Sequence, residues 1–139
     1  MFAAFILATF AASGIFVSGA ELQGTWSATS QGGYLAGAWT AEARPSGDVT
    51  GTWMLQDATG KVLKQGGWSA SKSAQAWNGA WRATISGSNG EYSGAWTSAV
   101  SLPAQAHFAE MLEFALRAVV SGTWKSGPKS GSWSIRASP

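Results

Sequence analysis

From Glu21 onward, apolar and polar positions alternate with period two in short runs. Leu22, Gly24, Trp26 and Ala28 fall on one face of an extended chain, and Gln23, Thr25, Ser27 and Thr29 on the other. The same division sets Leu35, Gly37, Trp39 and Ala41 against Ala36, Ala38, Thr40 and Glu42. It sets Val49, Gly51, Trp53 and Leu55 against Asp48, Thr50, Thr52 and Gln56, with Met54 as the exception. Further on, Trp77, Gly79, Trp81, Ala83 and Ile85 share a face, as do Tyr92, Gly94, Trp96 and Ser98, and then Gly131, Trp133 and Ile135. Successive side chains of a strand point to opposite sides, so this period predicts half-buried strands. Between the runs lie turn signals such as Ser30-Gln31-Gly32-Gly33, Asp57-Ala58-Thr59-Gly60 and Ser126-Gly127-Pro128-Lys129. Links this short join antiparallel neighbours, because a parallel return needs a long crossover.

One tripeptide threads the runs together. Gly-x-Trp occurs eight times, with its tryptophans at Trp26, Trp39, Trp53, Trp68, Trp81, Trp96, Trp124 and Trp133; of the nine tryptophans only Trp77 lies outside the set. The first six copies are 13, 14, 15, 13 and 15 residues apart, about one strand and one turn each. Glycine ordinarily weakens a strand, so its recurrence two residues before each Trp calls for a reason. Gly and Trp at that spacing share a face. A glycine without Cβ leaves a notch over which a neighbouring strand's indole can lie, so that large and small residues interlock across a narrow interior. A buried indole also needs a partner for its N–H, and Ser98 and Ser126 are candidates, each two residues after a Trp on the same face.

Between Trp96 and Trp124 the interval lengthens to 28 residues. Within it Phe108, Met111, Leu112, Ala115 and Val119 recur at helical spacing, with Glu110, Glu113 and Arg117 opposite. This predicts an amphipathic helix over about 103–119, with Pro103 in its first turn and Ser101 as its cap. Eight strands with one apolar face each must hide that face. The predicted fold is therefore mainly β: an eight-stranded antiparallel up-and-down β-barrel with one helix between the sixth and seventh strands. A two-sheet sandwich is the alternative. The face opposite the indoles carries Ser, Thr, Gln and charges, which suits water rather than lipid.

The opening strand Leu22-Gln23-Gly24-Thr25-Trp26 resembles the start of calycin-type barrels, the group of lipocalins, avidins and fatty-acid-binding proteins. The resemblance implies a barrel that holds a small apolar ligand. In lipocalins a late-strand Arg packs on the first Trp; here Arg136 lies on the last strand, although the alternation points it away from Trp133. The chain departs from that group in carrying Gly-x-Trp on every strand and in placing its helix before the last two strands.

Composition adds three constraints. From Met1 to Ala20 there is no charged side chain, and small residues at Ser18 and Ala20 precede Glu21. This has the anatomy of a secretory leader, which predicts a secreted or periplasmic product of residues 21–139 as a single domain; retained, it would act as a membrane anchor. The net charge is +2, and the nine basic residues are scattered rather than ordered as a phosphate footprint, so nucleic acid is not an expected partner. With no Cys, disulfides and thiolate metal sites are excluded.

Catalytic chemistry is poorly supplied. No Gly-x-Ser-x-Gly elbow stands between a strand and a helix, and His107 is the sole histidine. His107, Glu110 and Glu113 read as a solvated helix face rather than a metal or haem site. Glu42, Asp48, Asp57 and Glu91 sit at strand ends or turns, where carboxylates keep a surface soluble. The expectation is a non-enzymatic exported barrel without cofactor or metal. It would bind a small apolar or aromatic ligand, or a carbohydrate, near its Trp-lined interior or at its rim, where Tyr34, Trp77 and Tyr92 are the candidate aromatics. The alternative is an accessory subunit of a membrane-associated complex, its core filled by indoles and its protein partner unspecified.

Overall fold

The computed structural model describes residues 21–139, so the leader expected before Glu21 lies outside the described residues. Eight strands follow in order: β1 (Glu21–Ser30), β2 (Gly33–Ala43), β3 (Val49–Gln56), β4 (Val62–Ala70), β5 (Asn78–Thr84), β6 (Glu91–Ser98), β7 (Val120–Ser126) and β8 (Lys129–Ser138). Each pairs antiparallel with its sequence neighbours, and β8 returns to β1, so one sheet closes on itself and the sandwich alternative is set aside. The short turns β1–β2, β3–β4, β5–β6 and β7–β8 gather at one end of the barrel. The helix α1 (Phe108–Phe114) lies at the other, between β6 and β7.

The register explains the repeat. Trp26 stands opposite Gly37 and Trp39 opposite Gly24 across β1–β2. The same reciprocal exchange joins Trp53 to Gly66 and Trp68 to Gly51, Trp81 to Gly94 and Trp96 to Gly79, and Trp124 to Gly131 and Trp133 to Gly122. Each of the four hairpins thus lays two indoles over two notches. A Cβ on Gly37, Gly79, Gly94 or Gly131 would come within 3.1 Å of the opposing indole nitrogen.

The notch has a second purpose. In six cases the indole N–H crosses the glycine and donates to a backbone carbonyl on the far side. Trp26 reaches Met54 O (3.0 Å), Trp53 reaches Thr84 O (3.0 Å) and Trp68 reaches Thr40 O (2.9 Å). Trp96 reaches Ser71 O (3.0 Å), Trp124 reaches Thr29 O (3.0 Å) and Trp133 reaches Thr97 O (3.1 Å). Trp39 and Trp81 donate instead to Thr25 O (2.9 Å) and Ala95 O (3.2 Å), the carbonyl one residue beyond the opposing glycine. A Cβ on any of the eight glycines would overlap a carbonyl oxygen of the strand or connection on its other side, such as Met54 O above Gly37 or Thr40 O above Gly51. The serine hydroxyls expected to receive indole N–H groups do not: Ser98 donates to Ser121 O and Ser126 to Ser93 O. The carbonyl is the closer acceptor because the missing Cβ opens a direct line to it.

Beside three of these carbonyls a threonine hydroxyl of the same residue accepts from a backbone N–H of the neighbouring strand. Thr40 O serves Trp68, while Thr40 Oγ1 accepts from Thr52 N (3.0 Å). Thr29 repeats the arrangement with Ser132 N (3.0 Å), and Thr84 with Gly67 N (3.4 Å). Among the described residues no buried side-chain nitrogen or oxygen lacks a partner.

The helix is shorter than its pattern. Phe108, Met111, Leu112 and Ala115 are buried as predicted. The N-cap, however, is His107 rather than Ser101, with its N–H held by the Glu110 carboxylate (2.9 Å). The preceding stretch is fixed by tertiary bonds instead, since Leu102 and Pro103 give their carbonyls to the Trp77 indole (3.0 and 3.1 Å). At the far end Ala137 N bonds Ala115 O (2.9 Å), and the chain turns away so that Val119 is 55% exposed rather than buried. The core lies at this helix end: Phe108 meets the Trp96 ring at 5.2 Å, beside Trp39, Val49 and Val120.

The two halves repeat. Trp39 faces Trp53 across β2–β3 and Trp96 faces Trp124 across β6–β7. The joint β4–β5 pairs Trp68 with Ala83 and Ala70 with Trp81; the joint β8–β1 pairs Trp133 with Ala28 and Ile135 with Trp26. Strands β1–β4 and β5–β8 are therefore related by an approximate two-fold axis.

Gly51→Ala should cost about 1–3 kcal/mol by overpacking, read by thermal or urea denaturation. Gly33→Ala, where an added Cβ meets nothing within 4 Å, should be neutral or stabilising. Thr40→Val should lose about 0.5–1.5 kcal/mol, because the exposed Thr52 N–H exchanges its hydroxyl acceptor for water.

Candidate functional site

The indoles form two layers. Those of the even strands, Trp39, Trp68, Trp96 and Trp133, lie toward the helix, and Trp39 and Trp96 are fully buried. Those of the odd strands, Trp26, Trp53, Trp81 and Trp124, lie toward the turns, and all four are half-buried. Edge-on contacts run within layers, Trp81 to Trp124 and Trp96 to Trp133, each at 6.4 Å between ring centroids. The helix caps one layer and leaves the other facing the turn end.

Beyond the outer indoles each strand offers one more position on the inner face. These are Ala28, Leu35, Leu55, Lys64, Ala83, Tyr92, Ser126 and Lys129. Two of them carry the observation that matters. Leu35 and Tyr92 point to the barrel axis by their alternation with Gly37 and Gly94, yet they are 40% and 53% exposed. Inward side chains that meet solvent mark the turn end of the interior, the mouth of the barrel, while the two depressions with a definite volume lie on the outer wall. Leu35 and Tyr92 occupy equivalent places on β2 and β6, so they stand on opposite sides of the mouth. The mouth is thus floored by four half-buried indoles and walled by aliphatic and aromatic side chains, with lysine stems at its edge. The indole N–H groups below are already bonded to carbonyls, so the floor offers ring faces rather than donors.

The three aromatics expected at the rim separate. Tyr92 lies at the mouth. Tyr34 stands on the outer face of β2, 71% exposed, opposite Thr29. Trp77 lies at the helix end, where the Lys72 ammonium sits 4.3 Å above its ring and donates to Ser73 O and Ala104 O (2.8 and 2.7 Å). Burial lowers the Lys72 pKa from its ordinary 10.5. Trp77 and Lys72 fasten the β4–β5 connection to the segment before the helix, which is a structural duty.

The larger depression crosses the outer wall. It has a volume of about 480 Å³ and a floor of short side chains, Thr25, Ser27, Ala36 and Ser134, between Tyr34, Gln56 and Asp57 on one side and Arg136 and Val119 on the other. Ser27 and Ser134 bond each other across its floor (2.7 Å). The groove is open and its two floor serines satisfy each other, so the mouth, with its indole floor, is the better candidate. Arg136 belongs to this outer wall, opposite Thr25, and does not approach the first Trp from within.

Chemistry among the described residues is sparse. No three His, Asp or Glu side chains converge as a metal site, and His107 is occupied as the helix cap. Sequence reasoning placed Leu35 on the indole face and Tyr92 at the rim, but did not single out Leu35, Lys64 or Lys129 as site residues. The signal for a mouth was the continuation of the inner face past the last Trp of each strand into Leu35, Lys64, Tyr92 and Lys129.

Asp57 shapes the β3–β4 tip beside this mouth. Its Oδ1 accepts from the Thr59 hydroxyl (2.6 Å), Thr59 N (2.8 Å) and Lys61 N (3.0 Å), while Gly60 takes a positive φ of 89°. The Thr59 hydroxyl, followed by the backbone N–H groups of Lys61 and Thr59, holds the carboxyl below its ordinary 3.8. A lowered carboxyl stabilises the fold above its unfolded pKa and loses that contribution as pH falls through the folded value. In an NMR titration Asp57 should therefore have a midpoint under 3.8, and Thr59→Val should move it upward.

No family model matches the chain, and neither does any curated protein or solved structure.

Proposed function

We propose that this chain is a non-enzymatic, exported binding barrel that seats a small apolar or aromatic ligand in its turn-end mouth, against the outer layer of indoles. The observation that carries this reading is the exposure of Leu35 and Tyr92 on the inner face above half-buried Trp26, Trp53, Trp81 and Trp124. Ligand sites are concave and mostly apolar, with few polar groups. This mouth has hydrocarbon walls, aromatic floor faces and two lysines, Lys64 and Lys129, to meet an acceptor group. The calycin-like opening strand supports a ligand-holding barrel, and the leader pattern before Glu21 supports export. A carbohydrate would find its better chemistry at the outer groove, beside Tyr34, Gln56 and Asp57.

One observation favours the other reading, an accessory subunit with a filled core. All nine indole N–H groups already have backbone acceptors. A barrel evolved only for packing would look the same in its helix-side layer. It would not need inward Leu and Tyr side chains in contact with water.

Titration with apolar fluorescent probes should shift indole emission and raise the melting temperature. Tyr92→Ala and Leu35→Ser should weaken binding about 10-fold each, roughly the worth of a buried apolar side chain. Val119→Ser at the opposite end should leave it unchanged. If no apolar probe alters emission or melting, the filled-core reading stands.

A further inference from the structure

The barrel is polar along its walls but not at its ends. Of the large apolar side chains exposed among the described residues, Tyr34, Leu35, Val62, Leu63 and Tyr92 all sit at the turn end, and only Leu116 and Val119 lie elsewhere. They occupy three of the four hairpin tips, at the first residues of β2, β4 and β6. Leu63 owes its exposure to the irregularity in the β3–β4 ladder: Leu55 pairs with Lys64 and Gln56 with Val62, which leaves Leu63 without a partner.

Charge follows the same axis. The turn end carries Lys61, Lys64, Lys125 and Lys129 against Asp57 and Glu91, four cations to two anions. The helix end carries Glu21, Glu42, Asp48, Glu110 and Glu113 against Arg44, Lys72, Arg117 and Arg136, five anions to four cations. The overall net charge of +2 thus belongs to the turn end, with Arg82 between the two. Each end is short of what the other has.

We infer that the turn end is a docking surface for an anionic lipid bilayer, with the hairpin-tip Tyr, Leu and Val side chains entering the interfacial layer and the four lysines meeting the headgroups. Tyrosine favours the headgroup level, where its ring is buried and its hydroxyl stays wet. Lysine stems run along apolar surface while their ammonium groups remain among phosphates. Each lysine near such a surface contributes several-fold in affinity, and the attraction is screened by salt. The tips are short, so the barrel lies on the membrane by its end and does not span it. Glu21 leaves the barrel at the helix end, about 30 Å away along a ten-residue strand. The inference does not rest on a ligand in the mouth and holds if the mouth is empty.

The absence of Cys makes a site-specific test direct. Single cysteines at Ser88, in the β5–β6 tip, and at Ser46, in the β2–β3 turn of the helix end, would carry an environment-sensitive fluorophore on the full chain. Vesicles would be of phosphatidylcholine alone or with 30% phosphatidylglycerol, as roughly the charge of an anionic membrane. The expected result is a blue shift at Ser88 and none at Ser46, with anionic vesicles only, lost by about 10-fold or more in high salt. Lys64→Gln with Lys129→Gln should weaken binding at least 10-fold, and Leu63→Ser several-fold, with the near-UV spectrum of the fold retained. A response at Ser46 instead of Ser88, equal response to neutral vesicles, or no effect of the lysine and Leu63 variants overturns the proposal. So does a concentration-dependent dimer in sedimentation that Leu63→Ser abolishes, which would give the surface to a second copy.

Discussion

The fold depends on a hydrogen bond that crosses a strand. An indole on one strand lies over a glycine on the next, and in six of eight cases its N–H donates to a carbonyl beyond it. The bond demands three things at once. The middle residue must have no Cβ, the donor must be long enough to span a strand, and the acceptor must turn inward. Glycine and tryptophan meet the first two conditions together as no other pair does. At Thr29, Thr40 and Thr84 the residue that supplies the acceptor also uses its hydroxyl to accept from a backbone N–H of the neighbouring strand. A narrow barrel normally has to choose between filling its interior and satisfying the polar tips of large side chains. Here one arrangement does both, because the backbone itself supplies the acceptors.

That solution leaves the interior with little chemistry to offer. The indole donors are spent, the helix closes one layer, and no three His, Asp or Glu side chains converge as a metal site among the described residues. The outer wall is dressed in paired hydroxyls such as Ser27 with Ser134 and Thr97 with Thr123. The turn end differs. Its side chains are larger, its charge is of one predominant sign, and its inner-face residues meet water.

Much of this was legible beforehand. Period-two alternation located the strands, and a Gly two before each Trp gave the interlocking, because both signals are local and repeated. The acceptors were not legible: a carbonyl is present at every residue, so nothing in the sequence marks Met54 or Ser71 as partners of Trp26 and Trp96. The helix was overestimated for a related reason. Helical spacing from Phe108 to Ala115 is real, but Leu102 and Pro103 are bound by Trp77 from a distant connection, and tertiary bonds overrode local pattern at both ends. Trp77 itself misled because a Trp near a strand end reads as rim, whereas which end depends on the direction of the strand. Phase, not direction, separated Tyr34 from Tyr92: one residue of offset puts the first outside and the second inside.

The approximate two-fold axis has a consequence for how much instruction the chain contains. The edges of strands β1–β4 are joined to those of β5–β8 by two seams of the same register, Trp68 with Ala83 and Trp133 with Ala28. The same rule of register is used twice along the chain, at a seam of six paired positions between β8 and β1 and one of three between β4 and β5. Only the second half carries the helix that fills the core, so the halves share a register without being interchangeable.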